Sequence, residues 1–223
     1  WNVSNAKNFQ SMFTDCRSLK KLELNGWDTS KVTDMRSMFA NTTGIEKIEV
    51  SNWNTESVTN MERMFEKTNA KTLLLNQWNT KKVTDMGYMF SNSKLETIDV
   101  SNWDNQSLTN MTGMFWTALN LNTLNINNFK TPKVINMAST FAMCKSLTNL
   151  NLTSFYTSKV KRMNSMFIGS DNISNLDMSS FTTDANPDIS NIFNSCNGLT
   201  NLRLDNFEFT KGTNPNIALS ATF

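Results

Sequence analysis

The apolar residues of this chain recur in a fixed order along its whole length. Each copy begins with the pattern L-x-x-L-x-L, as at Leu19, Leu22 and Leu24, and the final alternation predicts a short strand with one buried face. Two aromatic series follow the strands in step. The first comprises Trp1, Trp27, Trp53, Trp78, Trp103, Phe129, Phe155, Phe181 and Phe207, and the second comprises Phe13, Phe39, Phe65, Phe90, Phe115, Phe141, Phe167 and Phe193.

The stretch between the two aromatics of each copy shows a different spacing. Val32, Met35 and Phe39 lie at i, i+3 and i+7, which places them on one side of a predicted short helix. Thr29 is positioned to cap this helix, and Asp34 falls in its first turn, where negative charge favours the helix dipole. Most of the 14 methionines occupy such positions. Their regular alternation with Phe favours core packing over a binding groove or a copper site.

Each unit is therefore a strand, an aromatic corner, a short helix and a return loop. A step of 26 residues from Trp27 to Trp53 and of 25 from Trp53 to Trp78 is the signature of a solenoid, because such a unit buries its apolar faces only by stacking. The predicted fold is α/β: a right-handed solenoid of about eight to nine units, with a parallel sheet on the concave face and short helices on the convex face. We expect one domain over residues 1–223.

The motif W-x-T-x-x-V-T-x-M-x-x-M-F, followed by L-x-x-L-x-L, is present at residues 27–39 and again from Trp53 to Phe65. It resembles the BspA-like leucine-rich repeat surface proteins, also described as the mycoplasma lipoprotein repeat. The resemblance implies a leucine-rich repeat solenoid, an extracellular protein on a bacterial surface, and an adhesin. It also implies a partner such as a host extracellular matrix protein, a mucus component or a cell-surface receptor. Because Trp1 falls inside a unit, we expect a fragment whose anchor or lipobox lies outside it.

The last units depart from the pattern. Phe replaces Trp from Phe129 onward, and Asn186 stands where Val is expected. The unit after Phe207 is longer and contains Gly212 and Pro215. Two interpretations remain open for this irregular end: a cap-like terminal unit, or an insertion loop that binds a ligand.

Charge and composition narrow the classes of function. With 21 basic and 19 acidic side chains and no strongly basic stretch, the chain is not expected to bind nucleic acid. No apolar run is long enough to span a bilayer. Cys16, Cys144 and Cys196 occupy one position in different units. Stacking would place Cys144 and Cys196 about 9 to 10 Å apart, beyond disulfide reach, so we predict buried free thiols.

The sequence offers little for catalysis. It has no His, the commonest general base and metal ligand, and the carboxylates recur with the repeat rather than clustering. No phosphate-binding, zinc, calcium-loop or nucleophile-elbow motif is present. We therefore expect no enzymatic activity, no cofactor and no metal site.

The remaining candidate is the polar surface of the predicted sheet. Outward strand positions form a face that is short-chained and largely uncharged in its middle, and Leu74 is its one exposed apolar residue. An ordinary soluble surface and a recognition face both fit this composition, although extended solenoid faces commonly serve recognition. The candidate binding residues are Thr72, Leu74, Asn76, Thr97, Asp99, Ser101, Thr123, Asn125, Asn127, Asn149, Asn151, Asn175 and Asp177.

These observations predict a non-catalytic cell-surface binding module, an adhesin for a host protein, a glycan or cells. The alternative is a structural spacer or stalk that presents another domain on the bacterial surface. The sequence leaves open whether the strand side or the irregular C-terminal unit would carry binding.

Overall fold

The computed structural model describes residues 1–208, and the longer unit with Gly212 and Pro215 lies outside them. The strands are β1 (Thr97–Asp99), β2 (Thr123–Asn125), β3 (Asn175–Asp177) and β4 (Asn201–Arg203). β1 pairs with β2 and β3 pairs with β4, both in parallel. Ile98 faces Leu124 and Leu176 faces Leu202, so equivalent residues of neighbouring units lie in register. The units stack as a leucine-rich-repeat-like solenoid around one continuous apolar core.

The strand side of the solenoid, which we call the strand face, is hydrogen-bonded only in part. Thr72 forms a single parallel bridge to Thr97, whereas the equivalent segments 21–23, 47–49 and 149–151 pair with no neighbouring strand in the described chain. The strands β1, β2 and β3 each end at an Asp or Asn whose side chain accepts the amide two residues further on. The side chain of Asp99 accepts the amide of Ser101 at 2.9 Å, and this Asx turn redirects the backbone after three residues. Side-chain packing therefore does more than strand pairing to align this face.

The predicted convex helices are absent from residues 1–208, and that part of the prediction is wrong. Their segments form successive turns instead. The amide of Met38 donates to the carbonyl of Met35 within its own unit at 3.2 Å, whereas the amide of Phe39 donates to the carbonyl of Met64 in the next unit at 2.9 Å. Because alternate amides point along the solenoid axis, the i to i−4 bonds of a helix cannot form. Apolar spacing alone does not distinguish these two backbones.

These turns build a continuous backbone ladder, and we call this side of the molecule the turn face. Parallel bridges join one position of every unit, from Asn8 to Asp34 and onward to Asp188. Further along each segment, the amide of every second-series Phe from Phe13 to Phe167 donates to a carbonyl of the next unit. The donor and acceptor pairs are Phe13 and Met38, Phe39 and Met64, Phe65 and Met89, Phe90 and Met114, Phe115 and Thr140, Phe141 and Met166, and Phe167 and Ile192.

Left-handed residues make the alternation possible. The residues two before and two after each second-series Phe have positive φ, as at Ser37 (54°) and Asn41 (57°) around Phe39. Gly occupies this place at Gly113 and Gly169, where φ is 57° and 66°. Most side chains disfavour this conformation, which Gly and Asn tolerate best. The two positions per unit turn successive amides first inward and then toward the next coil.

The two aromatic series pack differently. The second forms an unbroken stack from Phe13 to Phe193; Phe65 and Phe90, for example, lie 5.9 Å apart and within 3° of parallel. The first series stacks near its ends, as in Trp27 on Trp53 at 6.1 Å. Trp103 instead donates its indole N–H to the Leu75 carbonyl at 2.9 Å. In the units just before Phe replaces Trp, the indole therefore bonds a backbone carbonyl instead of stacking on the neighbouring ring.

A column of buried hydroxyls follows the first aromatic series. Thr29 is predicted to cap a helix, and this prediction is wrong because no helix is present in its segment. Its hydroxyl instead donates to the carbonyl of Asn54 in the next unit at 2.9 Å. The same bond recurs from Thr55, Thr80, Thr131, Thr157 and Thr183. One unit carries Asn105 instead. Its amide nitrogen is buried and finds no hydrogen-bond partner in the described chain.

The turn face also explains the recurring Asp and Asn residues. Asp34 was predicted in a first helical turn; it accepts the amide of Arg36 at 2.9 Å in an Asx turn instead. Asn60 and Asp85 do the same in the following units. From position 8 to position 188, Asp is never stacked directly on Asp in this column. In-register stacking would oppose like charges at about the 4.8 Å strand separation, and the interleaved Asn residues prevent it.

Replacing Asn105 with Thr should stabilise the protein by about 1 to 2 kcal/mol, because it removes a buried amide without a partner and restores the hydroxyl bond to the next unit. Urea unfolding measures the change in free energy. The reciprocal variant Thr55→Asn should destabilise by a similar amount. An unfolding free energy for Asn105→Thr below that of the unmodified protein would contradict the role given to this column.

Candidate functional site

The candidate residues lie along the strand face, exposed or half-buried, while the apolar residues between them point into the core. Leu74 is 66% exposed, as expected from its place in the pattern. Ser101, Asn125 and Asp177 are half-buried. The others are exposed: Thr72, Asn76, Thr97, Asp99, Thr123, Asn127, Asn149, Asn151 and Asn175. Because they occupy equivalent positions of stacked units, they form rows with a spacing set by the solenoid.

The part of the face at β1 and β2 is organised around Asp99. Its carboxylate accepts the amide of Ser101 at 2.9 Å and the hydroxyl of the same residue at 2.7 Å. Burial acts to raise the pKa of Asp99, but these bonds and one from Asn125 outweigh it and lower the pKa below that of a free aspartate. The carboxylate is therefore a fixed acceptor at neutral pH.

The strands β3 and β4 line a shallow depression of about 370 Å³. Within it, the side-chain amide of Asn201 donates to Asn175 at 2.6 Å, and the guanidinium of Arg203 lies 3.6 Å from the carboxylate of Asp177. Bonds from Ser179, followed by the charge of Arg203, lower the pKa of Asp177. Candidate residues and a cationic side chain therefore meet at this depression.

The remaining stretches of the face differ in charge. In the middle, the side-chain amide of Asn151 donates to Asn127 at 2.7 Å, and neither residue is charged. Toward the first units, lysines pair with glutamates; Lys21 lies 2.7 Å from Glu23, and Lys47 pairs with Glu49. Exposed pairs of this kind contribute little stability. They neutralise the lysines, so the face carries no basic stripe of the sort that nucleic acid requires.

The chemistry available on this face is hydrogen bonding. Within residues 1–208 no group of His, Cys, Asp and Glu could hold a metal ion. The cysteines are unpaired as predicted, but Cys16 and Cys196 are half-buried, so the prediction of burial holds for Cys144 alone. Burial raises the pKa of Cys144 to about 12, which leaves it a protonated thiol. In that same range no helix is long and apolar enough to cross a membrane.

Sequence reasoning missed a cluster on the opposite side. Arg63, Tyr88 and Trp116 come from three successive units and meet on the turn face. A signal was present, because Trp116 is the one Trp outside the first aromatic series. The apolar spacing predicts a helix for this segment, and that spacing does not indicate which outward side chains of successive units meet.

Comparison with known proteins identifies the repeat. The family model described as "Mycoplasma protein of unknown function, DUF285" matches residues 1–97 and 91–207. No curated protein matches the chain.

Crystal structures of repeat proteins are similar at low identity. A leucine rich cell surface protein from Faecalibacterium prausnitzii is 14% identical over 92% of this chain and 70% of that one, with a TM-score of 0.33. A leucine-rich repeat protein from Bacteroides ovatus is 15% identical over 87% of this chain and 63% of that one, with a TM-score of 0.44.

Titration should reveal the donors that hold Asp177. Because its folded-state pKa lies below that of an unfolded aspartate, its interactions stabilise the protein at neutral pH and are lost as the pH falls through the folded-state pKa. Ser179→Ala should raise the Asp177 pKa, measured from the side-chain carboxyl carbon by NMR. Ser51→Ala, at the equivalent position of a distant unit, is the control and should leave it unchanged. Equal titration of Asp177 in both variants would contradict the assignment.

Proposed function

Since the chain belongs to the family described as "Mycoplasma protein of unknown function, DUF285", we propose that it is a non-catalytic binding module displayed on a bacterial cell surface. The strand face is the contact surface in this proposal. The resemblance to BspA-like surface proteins supports the location, and the chemistry of the face supports recognition rather than catalysis.

The observation that carries the proposal is the in-register alternation of the strands. In β1 the middle residue Ile98 is buried and its neighbours Thr97 and Asp99 are exposed. The pairing of Thr97 with Thr123 repeats this arrangement one unit further along. A partner would therefore meet rows of polar groups held by a packed core, so little side-chain freedom is lost on binding.

The composition of the face favours a partner that is recognised through neutral hydrogen bonds. Amides and hydroxyls fill its middle, and Leu74 adds one exposed apolar contact. A host extracellular matrix protein, a mucus component or a cell-surface receptor would present suitable groups. The Lys and Glu pairs toward the first units would contribute to orientation more than to affinity.

A structural spacer is the second candidate, and the continuity of the turn face favours it. The Phe stack runs unbroken from Phe13 to Phe193, and backbone bonds join all the units along it. Such a rod would hold another domain away from the cell even if neither face bound a ligand. The two candidates differ in what a change to the strand face should do.

A double variant, Asn149→Lys with Asn175→Lys, tests the strand face. It copies Lys21 and Lys47, which occupy the equivalent position of earlier units, so the fold should tolerate it. We expect binding to immobilised mucin or to a solubilised extracellular-matrix preparation to weaken by about tenfold or more, because two hydrogen-bonding amides become cations. Surface plasmon resonance measures the dissociation constant.

The control variant adds the same charge elsewhere. Gln106→Lys with Ser158→Lys places lysines at exposed positions where another unit carries Lys81, and it should bind like the unmodified chain. Equal binding by both double variants would exclude the strand face. No binding by the unmodified protein to either preparation would reject the adhesive role and leave the spacer.

A further inference from the structure

A built aromatic cluster lies on the turn face, away from the strand face. Trp116 is 41% exposed, although its place in the unit is occupied by Ala40 and Ala142 elsewhere. The ring of Tyr88, from the preceding unit, meets the indole edge to face at 6.2 Å and 74°. Since alanine satisfies the fold at this position, the indole of Trp116 is not required to complete the core.

The neighbouring units hold Tyr88 in place. Gly113 has φ of 57°, and a Cβ added there would fall 2.4 Å from Cε1 of Tyr88, so only glycine leaves room for the ring. From the unit before, the guanidinium of Arg63 lies 4.4 Å from the ring centroid. Glu66 holds Arg63 by an ion pair at 2.9 Å. The ring is thus fixed between the Gly113 backbone and a positioned cation, which is the geometry of a cation–π contact.

We propose that Trp116, Tyr88 and Arg63 form a carbohydrate-binding subsite that accepts one pyranose ring. The C–H groups on one side of a pyranose pack against the apolar surface of an indole, and its hydroxyls need donors and acceptors at the rim. The phenol of Tyr88 adjoins the indole, the guanidinium of Arg63 lies over the Tyr88 ring, and the carboxylate of Glu66 pairs with Arg63. Because the supporting residues are already in contact with one another, little freedom is lost when a sugar binds.

The size of the cluster favours a sugar over a protein partner. A stable protein interface buries about 800 Å² on each side, with several apolar anchors at its centre. Here one indole is exposed, and the positions beside it carry Thr112, Thr117 and Asn92. A surface of this kind matches a single sugar ring, whose weak affinity a repeated glycan would increase through multivalency. The subsite is separate from the strand face and would bind whether or not that face does.

NMR titration with methyl α-D-glucopyranoside, methyl β-D-galactopyranoside and N-acetyl-D-glucosamine tests the proposal. At least one sugar should shift the indole N–H signal of Trp116 and show saturation transfer, with a dissociation constant on the order of 1 to 10 mM. Trp116→Ala, which copies Ala40 and Ala142, should weaken binding by about tenfold or more. Tyr88→Ser, which copies Ser37, should weaken it as well.

Two controls separate this subsite from other apolar surface. Ile168→Ala changes a half-buried residue at the same position of another unit, and Leu74→Thr changes the strand face; neither should alter sugar binding. The proposal is overturned if none of the three sugars shifts the Trp116 signal. It is also overturned if a sugar binds the unmodified protein and the Trp116→Ala variant equally. Loss of matrix-protein binding in Trp116→Ala without any sugar effect would identify a protein contact instead.

Discussion

The backbone hydrogen bonds that join equivalent turns of successive units are the constraint on which the rest of this structure depends. In each bond a backbone amide donates along the solenoid axis, as the amide of Phe39 does to the carbonyl of Met64 at 2.9 Å. The series continues through every second-series Phe as far as Phe167. To aim alternate amides in this direction, the chain must adopt positive φ at two positions per unit. Those positions flank the Phe, so the same geometry places the rings in one stack.

The polar composition follows from the same constraint. A coil built of turns leaves many amides to satisfy, and side chains of Asn and Asp satisfy them in each unit, as Asp34 does for Arg36 on the turn face and Asp99 for Ser101 on the strand face. Buried threonines join the corners. Asparagine is therefore abundant for a structural reason. The ladder also fixes the spacing at which Tyr88 and Trp116 meet, although Tyr and Trp do not recur at these two positions of the other units.

The sequence predicted the repeat, the buried aromatics, the exposure of the candidate residues and the strands β1 to β4, because these depend on apolar periodicity. The strands predicted at Leu22–Leu24, Ile48–Val50 and Leu150–Leu152 are absent from the described chain. It did not predict the turn face, since Val32, Met35 and Phe39 have the same spacing in a helix and in a chain of turns. The informative signal lay in the polar residues beside Phe39: Ser37 and Asn41, or Gly113 and Gly169 elsewhere, are residues that tolerate positive φ. The contacts of Arg63 with Tyr88 join different units, and no local pattern contains them.

Amide hydrogen exchange followed by NMR tests the central claim most directly. The amides of Phe39, Phe65, Phe90 and Phe115 should be among the slowest to exchange, because each bonds a neighbouring unit inside the stack. The amide of Val50, which makes no hydrogen bond within the described chain, should exchange much faster. Protection of consecutive amides with a helical circular-dichroism spectrum, or slower exchange at Val50 than at Phe39, would contradict the turn ladder.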